Sequence, residues 1–266
     1  MNQSKLEKYL ERIYYSGELG NDMSVLKKIH QLHPKYISFE NIDSFTGKVP
    51  SLNADDIFTK LVVNGRGGYC YEQNLLLSEV LKFLGFNVKL QLGRVVWKRE
   101  VDSMAAKSHL LLIVNNDGKD YLADCGFGTV TLTTPLLLDE EEPQQTPNGL
   151  FKISQQNGMY ALWTWKDKWL PIYRFALEQV DPIDLDIVNW YLSTYPESNF
   201  KKNLVLSKVD ENARYTFTGH TLNIRRTTGE KETVSIENNE TLYQMIRETF
   251  GLQENAVEQL KQKLEK

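Results

Sequence analysis

The sequence predicts an α+β protein in three parts, and three observations predict it. Apolar residues recur at helical spacing up to about residue 86. They alternate at period two from Asn87 to about residue 180, and both patterns mix after Asp181. The predicted organisation is therefore a helical bundle over 1–86, an antiparallel sheet or barrel over 87–180, and a mixed α/β part over 181–266.

The first helix is expected from Leu6, Tyr9, Leu10, Ile13 and Tyr14, which fall at the i, i+3, i+4, i+7, i+8 positions of one face. Val25, Leu26, Ile29 and Leu32 predict a second helix that Pro34 ends. Asn53 suits an N-cap for a third, with Asp55 and Asp56 in its first turn and Ile57, Phe58, Leu61 and Val62 on its buried face. A fourth runs through residues 74–84, and Gly85 stops it. The alternating segment Asn87–Trp97, the pair 109–114 and 121–125 around an Asn116-Asp117-Gly118 turn, and segments 150–155, 159–165 and 170–177 predict strands. The acidic, proline-containing stretch 139–149 reads as a solvated loop. From Asp181 or Pro182 a helix is expected to carry Ile183, Ile187, Trp190 and Tyr191. Strands at 203–208, 213–218, 221–226 and 231–236 follow, then helices near 239–250 and 253–264.

With 266 residues the chain is long enough to bury one large core or two to three small ones. Net charge is −4 and no Lys/Arg block stands out, so neither nucleic acid nor an anionic membrane is expected as partner. No apolar run approaches the roughly 20 residues of a membrane span, and the N-terminus opens directly into an amphipathic pattern, which implies a cytoplasmic protein. Two cysteines, Cys70 and Cys125, are too few for a disulfide framework or an all-cysteine zinc site. A single bridge between them fits poorly with a reducing compartment.

The stretch Arg66-Gly-Gly-Tyr-Cys-Tyr-Glu-Gln-Asn74 concentrates the chemistry. Two glycines let the backbone turn into the fourth helix, and Cys70 falls in its first turn, where unpaired N–H groups and the helix dipole favour a thiolate. A free cysteine is more often a small buried hydrophobe, so a nucleophile's reading needs a base and a group to orient it. Of four histidines, His30 and His33 lie three apart near the second helix without a carboxylate or cysteine to complete a metal site, and His220 reads as a turn residue. His109 opens the most apolar strand, where a titratable ring needs a partner. Asp124 lies near the end of the next strand. A turn centred on Asp117 places it across from about Leu110, one residue from His109, and a one-residue slip is expected to separate the two. They form either a structural pair or, with Cys70, a Cys-His-Asp triad.

These residues resemble the arylamine N-acetyltransferases. The resemblance rests on the cysteine stretch, Ser108-His-Leu-Leu-Leu112, Asp124-Cys-Gly-Phe-Gly128, Ile37-Ser-Phe-Glu-Asn41 and Pro196-Glu-Ser-Asn-Phe200, and runs over most of the chain. It implies a helical domain carrying the cysteine, a β-barrel carrying histidine and aspartate, an α/β lid, and a core like that of the cysteine proteases. It further implies acetyl transfer from acetyl-CoA through a Cys70 thioester onto an arylamine, arylhydrazine or N-hydroxyarylamine, as in xenobiotic metabolism. His109 would serve as base and acid, and Asp124 would orient it. Ala105, Ala106, Ser108, Gly126 and Gly128 are the implied coenzyme A contacts, and Phe39, Phe127 and Phe200 the implied arylamine contacts. Neither a metal nor an obligate protein partner is implied. Ser38 stands where the family usually has proline, and Cys125 is a second thiol beside the site. An amide synthase, a cysteine hydrolase with the same triad and a non-catalytic coenzyme A binder are the alternatives.

Overall fold

The computed structural model describes residues 1–265. Its helical start comprises α1 (Gln3–Arg12), α2 (Met23–Tyr36), a two-residue strand β1 (Phe39–Glu40), α3 (Ile42–Thr46), α4 (Ala54–Phe58), which runs on into a π-helical turn (Thr59–Val63), and α5 (Cys70–Phe83). Asn53 caps α4 as expected, its side chain accepting from the N–H groups of Asp55 and Asp56. Two expectations fail here. The first helix ends at Arg12, and Tyr14 adopts a φ of 53° that turns its ring into solvent, off the buried face. Pro34 does not end α2, because a proline in the last turn removes only one backbone bond and the helix reaches Tyr36.

Eight strands follow: β2 (Asn87–Val95), β3 (Lys107–Asn116), β4 (Lys119–Ala123), β5 (Leu136–Leu137), β6 (Gln144–Thr146), β7 (Gly149–Gln156), β8 (Met159–Trp165) and β9 (Trp169–Phe175). They form one antiparallel sheet in the order β5-β4-β3-β2-β9-β8-β7-β6, curled into a nearly closed barrel. The short strand β6 lies inside the stretch read as a loop. Strand β3 is apolar along its middle because both faces are covered. Leu112 and Val114 pack toward the helices, whereas Leu111 and Ile113 point into the barrel with Leu122.

The register of β3 on β4 differs by one residue from the expected one, and the difference matters. The turn is the two residues Asp117 and Gly118, both at positive φ, so Asn116 pairs with Lys119 and Leu112 with Ala123. Continued one step, this sets Asp124 against Leu111, on the face that Leu111 shares with His109. The slip expected to separate His109 from Asp124 is what puts them on one side of the sheet.

The chain closes with α6 (Pro182–Thr194), α7 (Asn199–Lys202), β10 (Val205–Val209), β11 (Ala213–Thr218), β12 (Thr221–Arg226), β13 (Lys231–Ser235), α8 (Asn239–Glu248) and α9 (Glu254–Leu264). Strands β10 to β13 form a second antiparallel sheet, whose other edge is β1 from the helical start, with Phe39 opposite Ser207. The helix expected at Asp181 is present, but its buried stripe is Leu185, Asn189, Leu192 and Ser193, while Ile183, Ile187 and Trp190 are each more than 60% exposed. The reason is polar: Asn189 accepts from the Tyr69 hydroxyl and donates to the Pro50 carbonyl at 2.9 Å, which turns the opposite face outward. Among the described residues no helix is long and apolar enough to cross a membrane.

Candidate active site

Cys70 is the first residue of α5, and Glu72 fixes that helix start by accepting the Tyr69 N–H at 3.1 Å. The two preceding glycines serve close approach rather than an unusual turn, since neither has a positive φ. A side chain on Gly67 would meet the Ser38 carbonyl oxygen at 2.1 Å, so strand β1 presses directly on this backbone. Beneath it lies a buried charge cluster. Arg66 bonds Glu40, with a further contact to Asp43, and Lys60 bonds Asp43 at 2.8 Å and Glu72 at 2.7 Å.

His109 reaches the cysteine from β3. Its Nε2 lies 2.7 Å from Asp124 Oδ2, which leaves Nδ1 without that partner, and His109 and Cys70 line the same cleft. The other carboxylate oxygen of Asp124 accepts from Asn74 Nδ2 and from the Gly126 N–H, both at 2.9 Å. Burial disfavours a charged imidazole, but Asp124 and the hydrogen bonds to Asp124 and Cys70 outweigh it and push His109 up to about 10. Asp124 is held below the usual carboxylate range: burial raises it, and His109, Asn74 and the Gly126 N–H outweigh burial. At neutral pH this is an imidazolium–carboxylate pair.

Asn74 lies one helical turn after Cys70 and locks three segments together. Besides Asp124, it bonds the Leu110 carbonyl at 2.7 Å and the Cys125 N–H at 3.1 Å. The sequence reading missed it, although its i+4 position would have placed it on the helix face of the cysteine. Gly126 packs here as well, since a side chain on it would come within 2.8 Å of the Cys70 Cα.

A cleft of about 430 Å³ opens above Cys70 and His109. Ala105, Ala106 and Ser108 line one wall, and Gly126, Phe127 and Gly128 another. Phe39 and Phe200 face each other across 6.0 Å at its side, so all eight predicted contact residues meet in one space. Trp97, Leu192 and Asn199 line it too and were not anticipated, nor was Tyr173, whose ring lies 5.0 Å from that of His109.

The other singled-out residues have structural partners. His33 is held between the Tyr9 hydroxyl and Gln73 Oε1, and burial lowers it to about 3 against the Gln73 bond. His30 accepts the Asp124 N–H at 2.9 Å and is lowered by burial to about 4, so it stays neutral behind the carboxylate. Cys70 and Cys125 are both free. Burial pushes the Cys125 thiol up, which disfavours its thiolate. Ser38, at the family's proline position, donates to the Phe250 carbonyl at 2.6 Å and leaves Phe39 on the cleft wall.

A thiol beside an imidazole that a carboxylate orients, on the floor of a cleft, is the arrangement of enzymes that transfer acyl groups through cysteine. A family model described as N-acetyltransferase matches residues 22–258. An arylamine N-acetyltransferase of Mycolicibacterium smegmatis is 38% identical over 249 residues, which cover 92% of this chain and 90% of the relative. The solved M. smegmatis arylamine N-acetyltransferase structure superposes with a TM-score of 0.91 at 35% identity and covers the whole of both chains. That of Mycobacterium marinum in complex with CoA superposes with a TM-score of 0.90 at 34% identity over 95% of this chain and 94% of the other. This chain belongs to the arylamine N-acetyltransferase family and is an acyltransferase.

Proposed function

We propose that the protein transfers acetyl from acetyl-CoA to the nitrogen of an arylamine, arylhydrazine or N-hydroxyarylamine by a ping-pong route, with Cys70 as nucleophile. The observation that carries this is the 2.7 Å His109–Asp124 pair, held beside Cys70 at the base of the cleft. The M. marinum relative, solved with CoA, supports the choice of donor.

In the first half-reaction the Cys70 thiolate, with the His109 imidazolium as counter-ion, attacks the acetyl carbonyl. The bond from acetyl carbon to coenzyme A sulfur breaks, and the imidazolium gives its proton to the leaving thiolate. Unpaired N–H groups at the start of α5 would stabilise the oxyanion. In the second, the amine attacks the Cys70 thioester, the carbon–sulfur bond breaks, and neutral His109 takes the amine proton, which restores the thiolate–imidazolium pair. Asp124 keeps Nδ1 aimed at the sulfur throughout. Phe39, Phe127 and Phe200 offer a flat apolar wall to the acceptor ring. The chain at Ala105, Ala106 and Ser108, with Gly126 and Gly128, would flank the pantetheine.

Intact mass after mixing with acetyl-CoA alone tests this. One added acetyl is expected on the wild type and on Cys70-retaining Cys125→Ala, none on Cys70→Ala, and loss of the adduct with N-acetyl product when an arylamine is added. Cys70-dependent release of free CoA without N-acetyl product would favour a hydrolase. Neither adduct nor release would remove acetyl-CoA as donor.

A further inference from the structure

His30 and His33 stand three apart on α2, both fully buried, and the chemistry above uses neither. Their bonds run to opposite sides of the active site. His33 reaches the cysteine side. Its Nε2 lies 2.7 Å from Gln73 Oε1, and Gln73 Nε2 donates to the carbonyls of Ile37, Ser38 and Gly68 at 3.2, 2.9 and 3.2 Å. With the amide nitrogen so committed, Oε1 is the acceptor and His33 carries its proton on Nε2. Its Nδ1 then accepts from the Tyr9 hydroxyl at 2.8 Å. Helix α2 is thereby tied to the backbone two residues before Cys70.

His30 reaches the aspartate side. The pairing of β3 with β4 ends at Leu112 and Ala123, so the Asp124 N–H lies one residue beyond it, and His30 Nε2 accepts that N–H at 2.9 Å. An acceptor at Nε2 requires the ring proton on Nδ1, the opposite tautomer from that of His33. His30 Nδ1 is buried without a hydrogen-bond partner among the described residues. Such an atom is destabilising, and an apolar side chain would pack without it, so packing does not explain the imidazole. What the ring supplies is the acceptor that fixes the Asp124 backbone, while His109, Asn74 and the Gly126 N–H fix its carboxylate. The arrangement needs a neutral ring, because a second proton would set Nε2–H against the Asp124 N–H, donor to donor. The groups acting on His30 are Asp124, which favours the charged ring, and His33, on which Arg12 and Tyr9 of α1 act in turn, with Cys125 beside Asp124. Burial outweighs Asp124 and lowers His30 to about 4.

We infer that His30 is a positioning residue for acyl transfer, an acceptor that sets Asp124 against His109 from a helix anchored at the cysteine side. It acts through Asp124 and does not line the cleft. The inference rests on the reading of Cys70, His109 and Asp124 as the reacting group given above. It does not depend on the donor, because the protonation of the histidine rings can be read without one.

Ring-nitrogen NMR of the whole protein across pH, joined to single-turnover acetylation of Cys70, tests it. In His30→Leu the Asp124 N–H loses its acceptor and the carboxylate its fixed place. The His109 midpoint, about 10 in the wild type, should then fall by about one unit, a tenfold change in its protonation equilibrium. Acetylation should slow about ten- to a hundredfold, as displacement of a catalytic group requires. His30→Gln, whose Oε1 can take the place of Nε2, should recover most of both. A His109 midpoint that stays in place in His30→Leu while only the urea midpoint falls shows a merely structural role and overturns the inference. A Gln variant no better than the Leu variant overturns it too. Should His30→Leu fail to fold, the wild-type spectrum carries the test. A neutral His30 ring with its proton on Nδ1 at about pH 6 supports the inference, and a proton on Nε2 or a charged ring there overturns it. A wild type that acetyl-CoA does not acetylate, yet whose His109 midpoint depends on His30, would remove the donor and support the positioning role.

Discussion

Two buried groups of charges differ in how they are balanced. Under Cys70, carboxylates and cations face each other within bonding distance: Asp124 with His109, and Glu40, Asp43 and Glu72 with Lys60 and Arg66. At the seam between barrel and second sheet, Lys166, Arg214 and Arg225 have no such partner among the described residues. The first arrangement is complete within the chain and holds a helix start still. The second has cations that repel one another, with burial and Arg225 lowering both Lys166 and Arg214. Balance thus separates charges that position the site from charges held together against their own repulsion.

The largest effect that would test this contrast is expected at Asp124. Asp124→Ala strips the imidazolium of its counter-charge, and acetylation of Cys70 should fall by about 10³-fold or more in single-turnover mass measurements. A loss of under tenfold would mean that the pair does not govern the cysteine. Arg66→Met leaves Glu40 and Asp43 short of a cation and should lower stability by about 3–5 kcal/mol in urea unfolding, the usual result of breaking a buried pair from one side.

Within that cluster three carboxylates share two cations. Burial first, then Asp43 and Glu40, raises Glu72 to about 7 against the pull of Lys60. A raised carboxyl contributes stability that is fully present below its unfolded value, near 4.3, and is lost as pH climbs through about 7. Urea midpoints of the wild type relative to Glu72→Gln should therefore fall between those limits and level off above them. A flat difference would show that Glu72 stays ionised throughout. The basic seam should behave in the opposite sense. Removing one of its cations, as in Arg225→Met, relieves repulsion, so stability should hold or rise by up to about 1 kcal/mol, whereas a loss of several would reveal a counter-charge already in place. Smallest of all is Ile187→Lys on the exposed face of α6, expected within about 0.5 kcal/mol by thermal melting.

Elements with local causes were legible in the sequence. The Asn53 cap, the alternation through β2 and the stop at Gly85 are each written in a few adjacent residues, and a short helix-start motif marked Cys70. His109 was found because a titratable ring in an apolar strand needs a partner. Its register against Asp124 is one residue away from the expected one, because the turn is the two left-handed residues Asp117 and Gly118 and is not centred on Asp117. Face selection on α6 was misjudged as well. Periodicity identifies a stripe, but the bonds of Asn189 to Tyr69 and Pro50, more than a hundred residues away, decide which stripe is buried.

By itself, then, the sequence determined the longer helices and strands, the family and the three residues expected to carry the chemistry, since these follow from local spacing and short motifs. Tertiary structure alone decided that β1 closes the edge of a sheet begun at Val205, that Asn74 clamps Asp124, and that Lys166, just after β8, meets Arg214 and Arg225 of β11 and β12. Such meetings depend on long-range pairing and on which buried charges find partners, and neither leaves a periodic trace along the chain.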